Sequence, residues 1–351
     1  MSRVNPLLVW LSFIGFLLVA SMWSLATGAL EIPRSQLALV LQQLLGWNQH
    51  IGIPSHFEIT ILEFRLPRLL MALLVGAALS ISGAAIQGLF RNPLADPGLI
   101  GVSSGAAFGA VLIIVLGNTL LEDWNLLVGQ WALPVAAFTC GLMTTLVIYR
   151  IASRKGQTQI STLLLAGIAM NAIAGAGTGL LTFIADDTQL RSLTFWSMGS
   201  LAKASWQGIA VILPFILIPI LVLPFFANAL NGFLMGESVA SHLGFPVRWI
   251  KRGIIILTSM AVGAAVSMTG VIGFLGLIIP HLLRFLIGPD HRLLLPASAL
   301  AGALLLTLAD MFSRTVVAPA ELPIGLIMAL IGGPFFLSLL LGSNGASRGS
   351  L

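Results

Sequence analysis

Charge is what this sequence has least of. Of its 351 residues, 8% are Asp, Glu, Lys or Arg and 58% are hydrophobic, whereas a soluble globular chain carries about 25% charged residues. So few charges cannot cover a water-facing surface, and a bilayer is the solvent in which they need not. Cysteine is nearly missing as well. The single Cys140 lies inside an apolar run and has no partner for an internal disulfide. There is also no basic run, so the net charge of +5 reads as loop arginines that orient helices. Binding of nucleic acid is excluded on the same ground.

The motifs of an enzyme or a self-powered pump are absent too. There is no HExxH, and the five histidines, His50, His56, His242, His281 and His291, do not cluster as metal ligands would. His281 follows Pro280 near a helix end, with Arg284 three residues on, and reads as structural. Ion-coupled transporters bury ionisable groups near the bilayer midplane. The central thirds of the apolar runs hold almost none. Asp310 comes closest, one turn before Arg314, a spacing that suits an i,i+4 ion pair. A phosphate-binding loop needs a Gly-Lys pair, yet none of Lys155, Lys203 or Lys251 follows a glycine. The chain is therefore read as a non-enzymatic transport subunit, with a stand-alone secondary transporter or channel as the alternative, and any ATP-driven step requires a separate subunit.

What is present is a series of apolar runs. Spans of about 20 residues cross the hydrocarbon, and they fall at about 7–28, 66–88, 96–117, 131–151, 160–184, 206–227, 249–269, 271–287, 293–311 and 322–342. The first is longer than the ~7–15-residue apolar core of a secretory signal and reads as a retained helix. With both termini in the cytoplasm, Arg3, Arg91, Arg150, Arg154, Lys155, Arg248, Lys251, Arg252, Arg284, Arg292 and Arg348 lie inside. Arg34, Arg65, Arg68, Arg191, Lys203 and Arg314 then lie outside. That bias obeys the positive-inside rule. Longer connections at 29–65, 185–205 and about 228–248 leave no room for a soluble domain, so residues 1–351 form one membrane domain. Gly101, Gly105 and Gly109, and Gly175, Gly177 and Gly179, read as positions of tight helix packing.

Two inner segments stand out. NALNGFLMGESVASHLGFPVRW is rich in apolar residues for a loop and is broken by Gly232, Gly236, Gly244 and Pro246. It predicts short helices on the membrane face that offer Met235, Glu237, Val239 and Leu243 to a partner. LFRNPLADPGLIGVSSGAAFG carries two prolines and two glycines that force a tight re-entry, with Asp96 placed to cap the turn beginning near Pro97.

The stretch RLPRLLMALLVGAALSISGAAIQGLFRNPLADPGLIGVSSGAAFGA closely resembles the FecCD family of ABC importer permeases, which carry siderophores, heme and cobalamin. GESVASHLGFP looks like the family's coupling segment, and GVIGFLGLIIPHLLR, PASALAGALLLTLAD and AELPIG look like further family motifs in the family's order. The resemblance covers residues 60–342.

It implies an all-α membrane protein of about ten transmembrane helices with the BtuC-like type II ABC importer permease fold, located in the bacterial inner membrane. It implies a homodimer with the pathway on the dyad, two cytoplasmic ATP-binding cassette subunits that hold ATP and Mg, and a periplasmic substrate-binding protein. The chain itself is expected to bind no cofactor. The implied coupling residues are Met235, Gly236, Glu237, Ser238, Val239 and Leu243. Ile160 and Ser161 match a gate position, with Ile160 standing where cobalamin permeases carry a hydroxyl, and Asn92 and Leu94 match a second gate position. Arg65, Arg68 and Arg314 match positions that meet acidic residues of the binding protein. TQLRSLTFWSMGSLAKASW looks more like heme permeases than cobalamin permeases, which implies heme as the transported substrate, with ferric siderophores and cobalamin as the alternatives.

Overall fold

In the computed structural model, which describes residues 6–28, 30, 32–44, 55–154 and 157–346, the chain is a helical bundle. Its first helix is α1 (Pro6–Ala26), followed by α2 (Arg34–Leu44). A short α3 (Ser55–Ile59) passes through a π-helical stretch, Thr60–Arg65, into α4 (Leu66–Phe90). The stretch 29–65, expected as a connection, is thus partly helical. An eleven-residue helix is too short to register in a search for membrane-length apolar runs.

Next come α5 (Val102–Leu116), α6 (Glu122–Val128) and α7 (Ala132–Ala152). The strands β1 (Ser153–Arg154) and β2 (Gln157–Thr158) pair antiparallel and form the one departure from an all-α reading among the described residues. Beyond them lie α8 (Ile160–Ile184), α9 (Asp187–Ser197), α10 (Trp206–Val222), α11 (Ala227–Leu234) and α12 (Glu237–His242). The chain closes with α13 (Val247–Thr269), α14 (Leu275–Ile287), α15 (His291–Thr315) and α16 (Ile324–Ala346). Seven helical segments are long and apolar enough to cross a membrane, and α5, α14 and the apolar part of α16 are shorter apolar helices. The expected ten spans correspond to these.

The core is centred on α4, which is buried along almost its whole length. Its sequence explains how. A Cβ on Gly76 would meet the carbonyl of Gly302 in α15, and one on Gly83 would meet the carbonyl of Gly276 in α14. Glycine at both crossings lets the backbones touch, the means by which helices associate in a solvent as apolar as their own side chains. The series Gly101, Gly105 and Gly109 serves the same end against Ile148, Thr144, Cys140 and Ala136 of α7, so it is a packing seam inside the subunit. By contrast, added Cβ atoms at Gly175 and Gly179 of α8 would meet open space. The turn expected at Thr269 and Gly270 is longer than two residues. The chain breaks from 270 to 274, with Gly270 at φ 72° and Phe274 at φ 64° bounding the break.

Candidate functional site

The predicted site residues fall at the two ends of the bundle. Arg68 opens α4 and Arg314 closes α15 at one end. Asn92, Leu94 and the segment 228–248 lie at the other, where Asn231 of α11 meets the start of α15 and His291 abuts Gly88 near the end of α4.

At the first end, the three arginines are turned inward. Their exposures are 6% for Arg65, 9% for Arg68 and 7% for Arg314. Asp310 is the reason for two of them, Arg68 and Arg314. Its carboxylate lies 2.9 Å from Arg68 Nε and 3.1 Å from Arg314 Nε, the latter being the i,i+4 pair anticipated from sequence. Arg68 Nη1 also donates to Glu321 Oε1 at 2.7 Å. Arg314 donates to the Ser24 hydroxyl at 2.8 Å and to the Ser24 and Thr27 carbonyls. Arg65 donates to the carbonyls of Leu25 at 2.7 Å and Ala26 at 3.0 Å, and to that of Leu30. Helix ends leave carbonyls without partners, and guanidinium forks satisfy several at once. The cluster therefore fastens the end of α1 to α4 and α15.

The segment TFWSMGSL is a backbone clamp at this same end. The amide of Ser200 donates to the Thr269 carbonyl at 2.7 Å, while Ile324 and Gly325 donate to the carbonyls of Gly199 and Met198. AELPIG is the other half of that clamp, so two motifs far apart in the chain share one local structure.

At the second end, the re-entry forms as the sequence predicts. Arg91 ends α4 in the left-handed region, and Asn92 Oδ1 accepts from the Leu94 amide at 2.9 Å. Asp96 Oδ1 accepts from Gly98 N at 2.7 Å, at the start of the 3-10 turn Pro97–Ile100. The re-entry is held against α8 by Asn171, which donates to the Gly98 carbonyl at 3.3 Å and accepts from the Ser104 hydroxyl at 2.5 Å. Asn92 and Leu94 are exposed, as is Ser161, while Ile160 is half-buried against the core. Among the described residues no hydrogen bond joins Asn92 or Leu94 to Ile160 or Ser161.

Beside the re-entry, α11 and α12 make the two short helices predicted for 228–248, joined at Gly236 with φ 117°. Phe233 and Ala240 face the bundle, whereas Met235 is 72% and Leu243 60% exposed, and Ser238 and Val239 point outward too. A hollow of about 410 Å³ lined by Asn228, Gly232, Met235, Leu243, Phe245 and Arg292 opens next to them. Glu237 pairs with Lys251 of α13 at 2.6 Å. Asn231 donates to Asp290 at 2.6 Å, and its Oδ1 accepts from the His291 amide at 3.0 Å. Burial opposes ionisation of Asp290, but the Arg292 amide, Asn231 and the Arg292 charge outweigh it and hold the carboxyl below its ordinary range.

Among the described residues no group of three His, Cys, Asp or Glu is placed to hold a metal ion. His281 lies within an aromatic cluster, with ring centroids 5.0 Å from Phe285 and 5.8 Å from Phe335.

The bundle thus carries a pair of short helices, α11 and α12, with an exposed apolar face at one end. A profile of the FecCD transport family matches residues 16–342. The chain belongs to the FecCD transport family. It is a multi-pass permease subunit of an ABC importer, and ATP hydrolysis belongs to a different subunit. A FecCD permease of this kind works with an ATPase and a substrate-binding protein. Similar proteins include the hemin transport permease HmuU of Yersinia pestis, 45% identical over 339 residues that cover 97% of both chains. The cobalamin import permease BtuC of Halobacterium salinarum is 42% identical over 289 residues, 82% of this chain and 75% of that one. A solved ABC transporter in an inward-facing conformation, assigned to the metal-chelate type, superposes with a TM-score of 0.80 at 31% identity, covering 96% of this chain and all of that one.

Proposed function

We propose that this permease carries heme from the periplasm to the cytoplasm as a homodimer in a bacterial inner membrane, with both termini on the cytoplasmic side. The observation that carries the substrate is the 45% identity to a hemin permease along 97% of both chains. Heme is flat, largely apolar and dianionic, and a pathway walled by small residues with no resident metal ligand releases it without trapping its iron. The exposed, glycine-bearing face of α8 forms the dyad wall in this reading.

Movement of the ATPase enters through Met235, Gly236, Ser238, Val239 and Leu243, which dock into a cleft on that subunit, with the Glu237–Lys251 pair fixing the angle of α12. Asn92 and Leu94 on the re-entry and Ile160 and Ser161 at the start of α8 narrow the inner end of the pathway. Arg65, Arg68 and Arg314 shape the outer rim from within. Contact with the binding protein then falls to the exposed positive groups beyond them, Arg191 and Lys203.

The test is transport by the whole complex in vesicles. Heme accumulates only when ATP and the cognate binding protein are present. A cognate binding protein that takes a ferric siderophore and not heme overturns the substrate, and uptake by the permease alone without ATP overturns the mechanism.

A further inference from the structure

Between α7 and α13 a trough of about 300 Å³ is lined by Leu142, Leu146, Ile255 and Ile256 together with Thr145 and Ser259. It runs into a hollow of about 460 Å³ lined by Arg150, Ser153 and Arg248. Leu146, Tyr149 and Arg252 wall both, so the two are one continuous groove, apolar at one end and basic at the other. We propose that this groove holds one anionic phospholipid, with an acyl chain along Leu146 and Ile256 and the phosphate among Arg150, Arg248 and Arg252.

Four observations carry the assignment. Neither α7 nor α13 contains an acidic residue, and among the described residues no carboxylate lies within ion-pair distance of any of the three arginines. The nearest cation in sequence, Lys251, is already matched by Glu237, so the excess charge at the groove is specific to these arginines. Arg252 is held in place over the rings of Tyr149 and Trp249, at 5.8 and 5.3 Å, which presets its fork for a phosphate. Tyr149 is the only tyrosine in the chain and Trp249 is exposed, the pairing that marks headgroup depth in membrane proteins.

The apolar half decides between occupants. Leu146 and Ile256 are exposed along the groove. A free anion or an acidic protein loop would meet the arginines and leave those side chains uncovered, whereas a lipid covers both halves. Basic pockets between membrane helices bind anionic headgroups in this way.

The experiment uses the permease purified with its ATPase from membranes containing phosphatidylglycerol, washed in detergent and weighed by native mass spectrometry. The wild type retains one phosphatidylglycerol per permease chain. Arg150→Ala with Arg248→Ala weakens retention by about tenfold or more. Leu146→Trp fills the trough and lowers retention although every arginine remains. Arg248→Lys keeps the charge and keeps most of the lipid, so a folding defect cannot imitate the whole pattern. Retention unchanged in both the arginine and the tryptophan variants overturns the proposal. So does displacement of the lipid by millimolar inorganic phosphate, which would make this a free-anion site. Loss of the ATPase with lipid retained in the arginine variant overturns it as well, since the groove would then be a subunit contact.

Discussion

Asp310→Ala is the most direct probe of the arginine cluster. The carboxylate is almost fully buried and touches two buried guanidiniums. Removing one member of a buried ion pair costs about 3–5 kcal/mol, because the remaining charge is left unmatched. Here Arg68 keeps Glu321 and Arg314 keeps Ser24 and Thr27, which places the loss near the lower end, about 3 kcal/mol. At roughly 2 °C per kcal/mol for a large chain, that is a fall in melting temperature of about 6 °C. The assay is thermal melting of the purified permease in detergent. Asp310→Leu combined with Arg314→Met removes charge in pairs and should regain part of the loss. Melting of Asp310→Ala within a degree of the wild type would refute the reasoning. The same assay separates fastening from docking. Arg68→Ala should melt early, whereas a docking arginine would melt normally and lose only association with the binding protein.

Val239→Asp or Leu243→Asp is expected to uncouple ATP hydrolysis from transport while the permease still inserts, as read by uptake and ATPase assays on the same vesicles. Gly83→Leu drives a side chain into the Gly276 carbonyl and should abolish recovery of folded protein in size-exclusion chromatography. A cysteine at position 160, in a chain carrying Cys140→Ala, should cross-link the two subunits under at least one nucleotide condition if the pathway lies on the dyad. Asp290, with its folded pKa below the ordinary carboxylate value, adds stability that is present above that ordinary value. That stability is lost as pH falls through the lowered one. Melting of Asp290→Asn should accordingly show a weaker acid dependence than the wild type.

What was legible in the sequence is what local rules decide. Asp96 caps a turn two residues away, Arg314 pairs with a residue one turn back, and Gly236 and Gly244 bracket a short helix with positive φ. Length and hydropathy fixed most spans for the same reason. The burial of Arg68 was not legible, because its partner Asp310 is 242 residues distant and only the packing of α4 on α15 brings them together. Arg65 is harder still. Its partners are backbone carbonyls at the end of α1, and a carbonyl leaves no mark in a sequence. The pairing of Glu237 with Lys251 is hidden in the same way, because Lys251 lies beyond a loop and a helix start. The motif TFWSMGSL suggested a substrate, yet its backbone bonds to Thr269, Ile324 and Gly325 give it a structural task as well.

The glycine crossings of α4 bear on how the molecule can move. Where two helices meet through side chains, a small slide is absorbed by new rotamers. Where they meet carbonyl against glycine, there is nothing to rearrange, and any slide lifts the helices apart. α4, α14 and α15 are joined in the second manner, so they form a keel that travels as one piece. α8 meets the re-entry through a contact of the same kind, Gly167 against the Leu99 carbonyl, with Asn171 bonded beside it. A slide of α8 along the re-entry is therefore closed off as well, and a shift of α8 carries the re-entry with it.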